Sequence, residues 1–227
     1  MQVTYCVVEK YIGDAIMAYW GPPFVTEADQ TDFACLAAIG MIGRIAKLRI
    51  ELPELLGVRR IPTQCDIRIG IATGEALVGS IGSEFRMSYT VMGDTVNLAA
   101  RVERANKTYG SRCLISEATA LASSATIEVR EIDRLIVVGQ TKPQSIFEIM
   151  GRAGEITTEQ MQLRTRYAEG LAAYRERRWD DALWAFTAAL EVVPGDKPSI
   201  TFAKRISCLK QKPPPANWDG SWHLEHK

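Results

Sequence analysis

Residues 10–21 of the chain read KYIGDAIMAYWG. Apolar residues flank the turn residues Gly13 and Asp14, and this pattern predicts a tight β-hairpin with the Asp14 carboxylate at its tip. Lys10 lies four residues earlier, on the first strand of that hairpin. A cation could approach a carboxylate in this position, but an ordinary surface turn with two solvated side chains explains this stretch alone equally well.

A second informative stretch, residues 89–103, reads YTVMGDTVNLAARVE. It predicts a helix that Asp94 caps at its start and Gly110 closes after its last turn. Asn97 and Arg101 are four residues apart, so they share one face of this helix. An amide and a planar guanidinium on one face can bind a ribose oxygen and phosphate oxygens together. A solvated polar face is the alternative interpretation.

Residues 66–90, DIRIGIATGEALVGSIGSEFRMSYT, connect the two stretches. The glycines at 74, 79 and 82 lack the spacing of a phosphate-binding P-loop, and they predict a flexible β-turn region instead. Taken together, the three stretches resemble the catalytic domain of class III nucleotidyl cyclases over roughly residues 3–150.

This resemblance implies an α+β fold, a ferredoxin-like domain of sheet and helices over residues 1–150, whose first strand and first helices are missing from the chain. It also implies an adenylate cyclase that converts ATP to 3′,5′-cyclic AMP and pyrophosphate. Two Mg²⁺ or Mn²⁺ ions would take part in the complete enzyme. Each site would form between the two subunits of a head-to-tail homodimer.

The resemblance assigns a role to five residues. Lys10 and Thr90 would bind the adenine ring, a Lys/Thr pair like that of the subgroup with bicarbonate-responsive bacterial and soluble animal enzymes. Asp14 would bind metal. Asn97 would orient the ribose, and Arg101 would stabilise the charge that grows on the phosphoryl oxygens.

Two features depart from the family pattern. The family's other metal-binding aspartate precedes the hairpin, and nothing before Val3 supplies it. The basic Lys-Gly-Lys of the family is replaced by VGQTK at 138–142, where Lys142 is out of register. We therefore expect weak or no cyclase activity from this polypeptide alone. The alternative is a non-catalytic, cyclase-like module for dimerisation and protein interaction.

The remainder of the chain predicts a linker over residues 151–158 and an all-α tail over 159–227. The tail fits the spacing of one tetratricopeptide-like repeat, which would lean on the cyclase domain or on a protein partner. The residues that carry this spacing are Gly170, Ala182, Phe186, Ala189 and Pro194. The tail also resembles the end of bacterial cyclases that have an extracytoplasmic CHASE-type sensor, which implies a membrane-anchored parent protein.

The composition excludes several other classes. Lys plus Arg and Asp plus Glu number 27 each, so charge gives no reason to expect a nucleic-acid partner. No apolar run approaches the roughly 20 residues of a membrane span. The five cysteines are widely spaced without a CxxC motif, which argues against a disulfide framework or zinc site and favours a cytoplasmic location.

Overall fold

The computed structural model describes residues 6–57, 66–136 and 143–223. Its strands are β1 (Val7–Ile12), β2 (Ala15–Tyr19), β3 (Ile69–Ile71), β4 (Leu77–Ser83), β5 (Arg86–Met92), β6 (Cys113–Ser116), β7 (Ile127–Ile136), β8 (Gln144–Arg152) and β9 (Trp222–His223). Its helices are α1 (Gln30–Leu55), α2 (Asp94–Tyr109), α3 (Glu117–Ala122), α4 (Thr158–Arg175), α5 (Trp179–Val192) and α6 (Lys197–Gln211). None of these helices is both long enough and apolar enough to span a lipid bilayer.

Five strands form one sheet in the order β3-β6-β8-β7-β9. β8 is antiparallel to both β6 and β7, whereas the outer pairs β3–β6 and β7–β9 are parallel. The two hairpins, β1–β2 and β4–β5, are separate two-stranded sheets. The glycine-rich residues 79 and 82 therefore lie within the strand β4, and the prediction of a flexible turn region there is wrong because pairing with β5 orders them.

α2 lies directly against β3 because Gly70 permits it. A Cβ at this position would lie 2.2 Å from the backbone nitrogen of Glu103 and 2.3 Å from the carbonyl oxygen of Ala99. Asn106 is fully buried on the same helix, and its Nδ2 donates a hydrogen bond of 2.8 Å to the carbonyl oxygen of Ile69. These contacts fix the height of α2 above the edge of the main sheet.

The helices of the C-terminal segment pack closely on one another. Thr157 and Gln160 form a capping box that starts α4. Gly170 on α4 faces Phe186 on α5, and a Cβ at Gly170 would come within 2.9 Å of the ring. The small residue therefore allows the two helices to approach closely.

This segment shares a hydrophobic core with the sheet and with α2. The fully buried members from α2 and the sheet are Tyr109, Leu114 and Ile132, and those from the C-terminal helices are Tyr167, Tyr174, Ala182, Phe186, Phe202 and Ile206. Trp218 and Trp222 pack against the same core. Of the two supports expected for the tail, the cyclase domain or a protein partner, this cluster shows packing on the domain.

The prediction of an all-α tail is wrong at its end. Trp222 and His223 form β9, which pairs in parallel with Leu135 and Ile136 of β7. Two residues that closely follow the turn-forming Asp219 and Gly220 carry little strand signal of their own, so the neighbouring sheet decides their conformation.

Two buried ion-pair clusters attach α6 to β7. Near the start of α6, Nη2 of Arg130 lies 2.7 Å from Oδ1 of Asp196, the residue that caps the helix. Further along, Nη1 of Arg205 lies 2.7 Å from Oδ2 of Asp133, which also accepts a 2.5 Å hydrogen bond from the hydroxyl of Tyr109. Because Tyr109 is the last residue of α2, this second cluster joins α6, β7 and α2.

Candidate active site

The structure brings Lys10 and Thr90 together across two hairpins. Nζ of Lys10, on β1, donates a hydrogen bond of 3.2 Å to Oγ1 of Thr90, on β5. The same ammonium lies 2.8 Å from Oε1 of Glu9. Two residues that are 80 positions apart in the chain therefore form one polar group, as their assignment to a single base-binding site requires.

An irregularity in β1 makes this arrangement possible. Val8 pairs with Ala18 and Lys10 pairs with Met17, so Glu9 is an extra residue without a partner in β2. Successive side chains of a regular strand point to opposite faces. Here the bulge allows the neighbouring Glu9 and Lys10 to turn toward each other.

The Glu9 carboxylate is shielded from solvent, with only 2% of the side chain exposed. Burial alone would raise the pKa of Glu9, but the Lys10 ammonium and the Thr90 hydroxyl together lower this pKa below its ordinary value of 4.5. Burial and the nearby Tyr89 and Glu9 raise the pKa of the Tyr19 phenol, which stays neutral. The group is therefore a charged Glu9–Lys10 pair beside neutral hydroxyls.

Asp14 occupies the tip of the β1–β2 hairpin, where the sequence predicted it. Gly13 precedes it with a φ of +64°, a left-handed conformation that glycine adopts without strain. Asp14 is exposed and forms no hydrogen bond or ion pair with the described residues. Nowhere in the described ranges do three or more His, Cys, Asp or Glu side chains cluster as metal ligands would.

Asp14 is the carboxylate that the described residues present at this hairpin tip for a divalent ion. Magnesium is commonly held by one or two carboxylates together with substrate phosphates and water, so Asp14 could bind one such ion that a nucleotide brings.

Asn97 and Arg101 lie on the first half of α2. Asn97 is exposed and Arg101 is half-buried. The start of the helix is held by Thr95, whose hydroxyl donates a 2.8 Å hydrogen bond to the carbonyl oxygen of Glu75. Gly93 rather than Asp94 is the N-cap, and no side chain caps this end, so that detail of the prediction is wrong.

No hydrogen bond or ion pair links Asn97 or Arg101 to Lys10, Thr90 or Asp14 within the described part of one chain. Asn97 and Arg101 lie on α2, which packs against the main sheet, whereas Lys10, Thr90 and Asp14 lie on the two hairpins. Lys142, the basic residue of the altered VGQTK segment, falls outside the described residues.

Glu9 was not singled out from the sequence. It directly precedes the motif at residues 10–21, but alternation along a strand predicts that it points away from Lys10. A bulge of one residue has no strong sequence signal, and only the pairing register reveals it.

Residues 2–151 match the sequence model of the adenylate and guanylate cyclase catalytic domain. The chain belongs to this family. The match includes all five residues to which the resemblance assigned roles. It ends one residue before the last residue of β8.

Curated relatives include three adenylate cyclases. The terminal-differentiation-specific adenylate cyclase of Dictyostelium discoideum is 32% identical over 87% of this chain, which is 9% of its own length. Adenylate cyclase 1 of Rhizobium meliloti is 32% identical over 66% of this chain and 22% of its own length. The adenylate cyclase of Anabaena cylindrica is 35% identical over 63% of this chain and 28% of its own length. The chain thus spans less than a third of each of these relatives.

The Dictyostelium alignment also bears on the C-terminal helices. Because the family match ends at residue 151, an alignment over 87% of the chain must include part of the helical segment. Similarity to this relative therefore does not stop at the cyclase domain.

Two solved structures have a similar fold. The adenylyl cyclase CyaB from P. aeruginosa is 29% identical with a TM-score of 0.56, and the alignment covers 67% of this chain and 75% of the CyaB chain. The guanylyl cyclase Cya2 is 27% identical with a TM-score of 0.52, and the alignment covers 67% of this chain and 73% of the Cya2 chain. Since the two act on different nucleotides, overall similarity does not select the base.

Proposed function

We propose that the chain is an adenylate cyclase catalytic domain that converts ATP to 3′,5′-cyclic AMP and pyrophosphate. The contact between Lys10 and Thr90 carries the proposal for ATP over GTP. Adenine N1 is a hydrogen-bond acceptor, which suits an ammonium, whereas guanine presents an N1–H donor at that position. Lys10 would donate to adenine N1, and Thr90 would lie beside the exocyclic amino group.

We propose that the complete site forms between two copies in a head-to-tail dimer. In support, Asp14 at the hairpin tip makes no hydrogen bond or ion pair with Asn97 or Arg101 within the described part of one copy. Asp14 would come from one subunit and Arg101 from the other. Asn97 would orient the ribose so that its 3′-oxygen attacks the α-phosphorus. Arg101 would stabilise the negative charge that develops on the phosphoryl oxygens, since its planar fork matches their geometry.

Class III cyclases use divalent ions, generally Mg²⁺ or Mn²⁺. Asp14 would hold such an ion against the nucleotide phosphates, where it would act as a Lewis acid. Because Asp14 alone is a poor anchor for two ions, we expect slow turnover from this chain alone. Two ions are expected in the complete enzyme.

We propose the division into a catalytic domain at 1–150, a linker at 151–158 and a tetratricopeptide-like tail at 159–227 that could bind a protein partner. The close approach of Gly170 to Phe186 supports the repeat-like packing. We also propose that the chain belongs to the Lys/Thr subgroup. Its parent protein would be anchored in a membrane and carry a CHASE-type sensor, and its cyclase domain would lie in the cytoplasm. The small fraction of each relative that this chain spans leaves room for such domains.

The test is product formation from radiolabelled ATP and GTP with Mn²⁺, combined with displacement of a ribose-labelled fluorescent ATP analogue by each nucleotide. We expect slow formation of cyclic AMP, tighter binding of ATP than of GTP, and weaker ATP binding after Lys10→Glu. An unchanged preference for ATP in that variant would reject the assignment of Lys10. Binding without any product would favour the non-catalytic interaction module.

A further inference from the structure

One buried charge near the proposed base site has no role in the fold or in the mechanism above. Glu9 lies on β1, whose other side chains are exposed or half-buried, yet only 2% of the Glu9 side chain is exposed. Its Oε2 is buried and has no hydrogen-bond partner among the described residues. Burying a carboxylate oxygen without a partner costs free energy, and a two-stranded hairpin does not require it.

The backbone is also adjusted to place this carboxylate. The bulge at Glu9 interrupts the register between Val8 and Lys10. Bulges are common beside active sites, where they redirect a side chain. Here the effect is that two adjacent side chains, which a regular strand would separate, meet at 2.8 Å.

The donors of the Lys10 ammonium can be counted. A lysine ammonium has three N–H donors and no acceptor. One faces Oε1 of Glu9 at 2.8 Å, and a second is donated to Oγ1 of Thr90 at 3.2 Å. One donor remains, and the Lys10 side chain keeps 42% of its surface exposed, so this donor is available to a ligand.

We propose that Glu9 is a positioning residue that orients the Lys10 ammonium toward adenine N1 and thereby sets the preference for ATP over GTP. This inference rests on the proposed function of Lys10. Lysine is a flexible point charge on a four-carbon stem, so two fixed acceptors are needed to aim its third donor. Without Glu9, the ammonium remains charged but no longer points in one direction, and adenine loses its advantage over guanine.

The experiment is a double-mutant cycle on the full chain. Dissociation constants for ATP and GTP are measured by displacement of the fluorescent ATP analogue in wild type, Glu9→Gln, Lys10→Ala and the double variant. We expect Glu9→Gln to weaken ATP binding about tenfold, the lower end for a hydrogen bond to a charged group, and to leave GTP binding nearly unchanged. The double variant should bind ATP no more weakly than Lys10→Ala, because Glu9 acts through Lys10.

Two further variants separate positioning from folding. Glu51→Gln makes the same charge change on α1, where Glu51 pairs with Arg44 at an exposed position, and it should leave both dissociation constants unchanged. Glu9→Asp retains the charge on a shorter side chain and should recover part of the ATP preference. Melting temperatures of all variants show which of them are folded.

Each outcome has a distinct meaning. Additive losses in the cycle, or equal losses for ATP and GTP in Glu9→Gln, would overturn the role of Glu9 while leaving Lys10 as the base-binding residue. If Lys10→Ala itself leaves ATP binding unchanged, the proposed function of Lys10 fails, and the inference about Glu9 fails with it.

Discussion

Replacing Arg205 by methionine tests whether the C-terminal helices are an integral part of the domain that carries the site. Arg205 is paired with Asp133, whose side chain is 1% exposed. Methionine retains apolar contact with Trp222, whose ring centre lies 4.0 Å from Cζ of Arg205, but it leaves the carboxylate without its cation. Breaking a buried pair in this way typically costs about 3–5 kcal/mol.

The assay is urea unfolding followed by circular dichroism and by tryptophan fluorescence. The matched control is Lys210→Met on the same helix, which removes an exposed pair with Asp180, and its expected cost is about 0–1 kcal/mol. Adding Asp133→Asn to Arg205→Met should recover part of the loss, because the buried charge is then gone. If Arg205→Met costs no more than the control, the buried pair does not hold the helices to the sheet.

Three smaller perturbations test the fold elsewhere. In the same urea assay, Gly70→Ala should destabilise the protein by about 1–3 kcal/mol because the new methyl group meets the backbone of α2. Gly40→Ala should instead stabilise it by about 0.5–1 kcal/mol because Gly40 lies within α1 with open space around it. A hydrogen bond from Arg164 holds the pKa of Glu128 below its ordinary value of 4.5. Wild type should therefore be more stable than Glu128→Gln by a constant amount above pH 4.5, and this difference should vanish as the pH falls through the lowered pKa of the folded state. Burial raises the pKa of Cys35 to about 11, so iodoacetamide at pH 8 should alkylate it far more slowly than the exposed thiols, as peptide mass spectrometry would show.

The local geometry of the site could be predicted where a motif has a strong backbone signal. Gly13 requires a turn, and the structure has the hairpin with Asp14 at its tip. Gly110 adopts the left-handed conformation that closes α2 after Tyr109, as expected of a C-terminal glycine. The spacing of Asn97 and Arg101 placed them correctly on this helix because helical periodicity is local.

Features that depend on distant partners could not be predicted. Glu9 reaches Lys10 only through a bulge, and the register of β1 on β2 reveals that bulge. The β4 glycines at 79 and 82 read as loop residues, but β5 supplies the hydrogen bonds that extend them into a strand. β9 forms because the edge of β7 is available, not because of any preference of its own two residues.

The most direct test of a site shared between two copies is a mixture of two variants. Asp14→Ala removes the carboxylate at the hairpin tip, and Arg101→Ala removes the guanidinium on α2, so each variant alone should form almost no cyclic AMP from radiolabelled ATP with Mn²⁺. In a random mixture, half of the dimers combine both variants and each of these has one intact site. We therefore expect the mixture to recover about a quarter of the wild-type rate in a symmetric dimer. A mixture no more active than either variant alone would contradict a site shared between subunits.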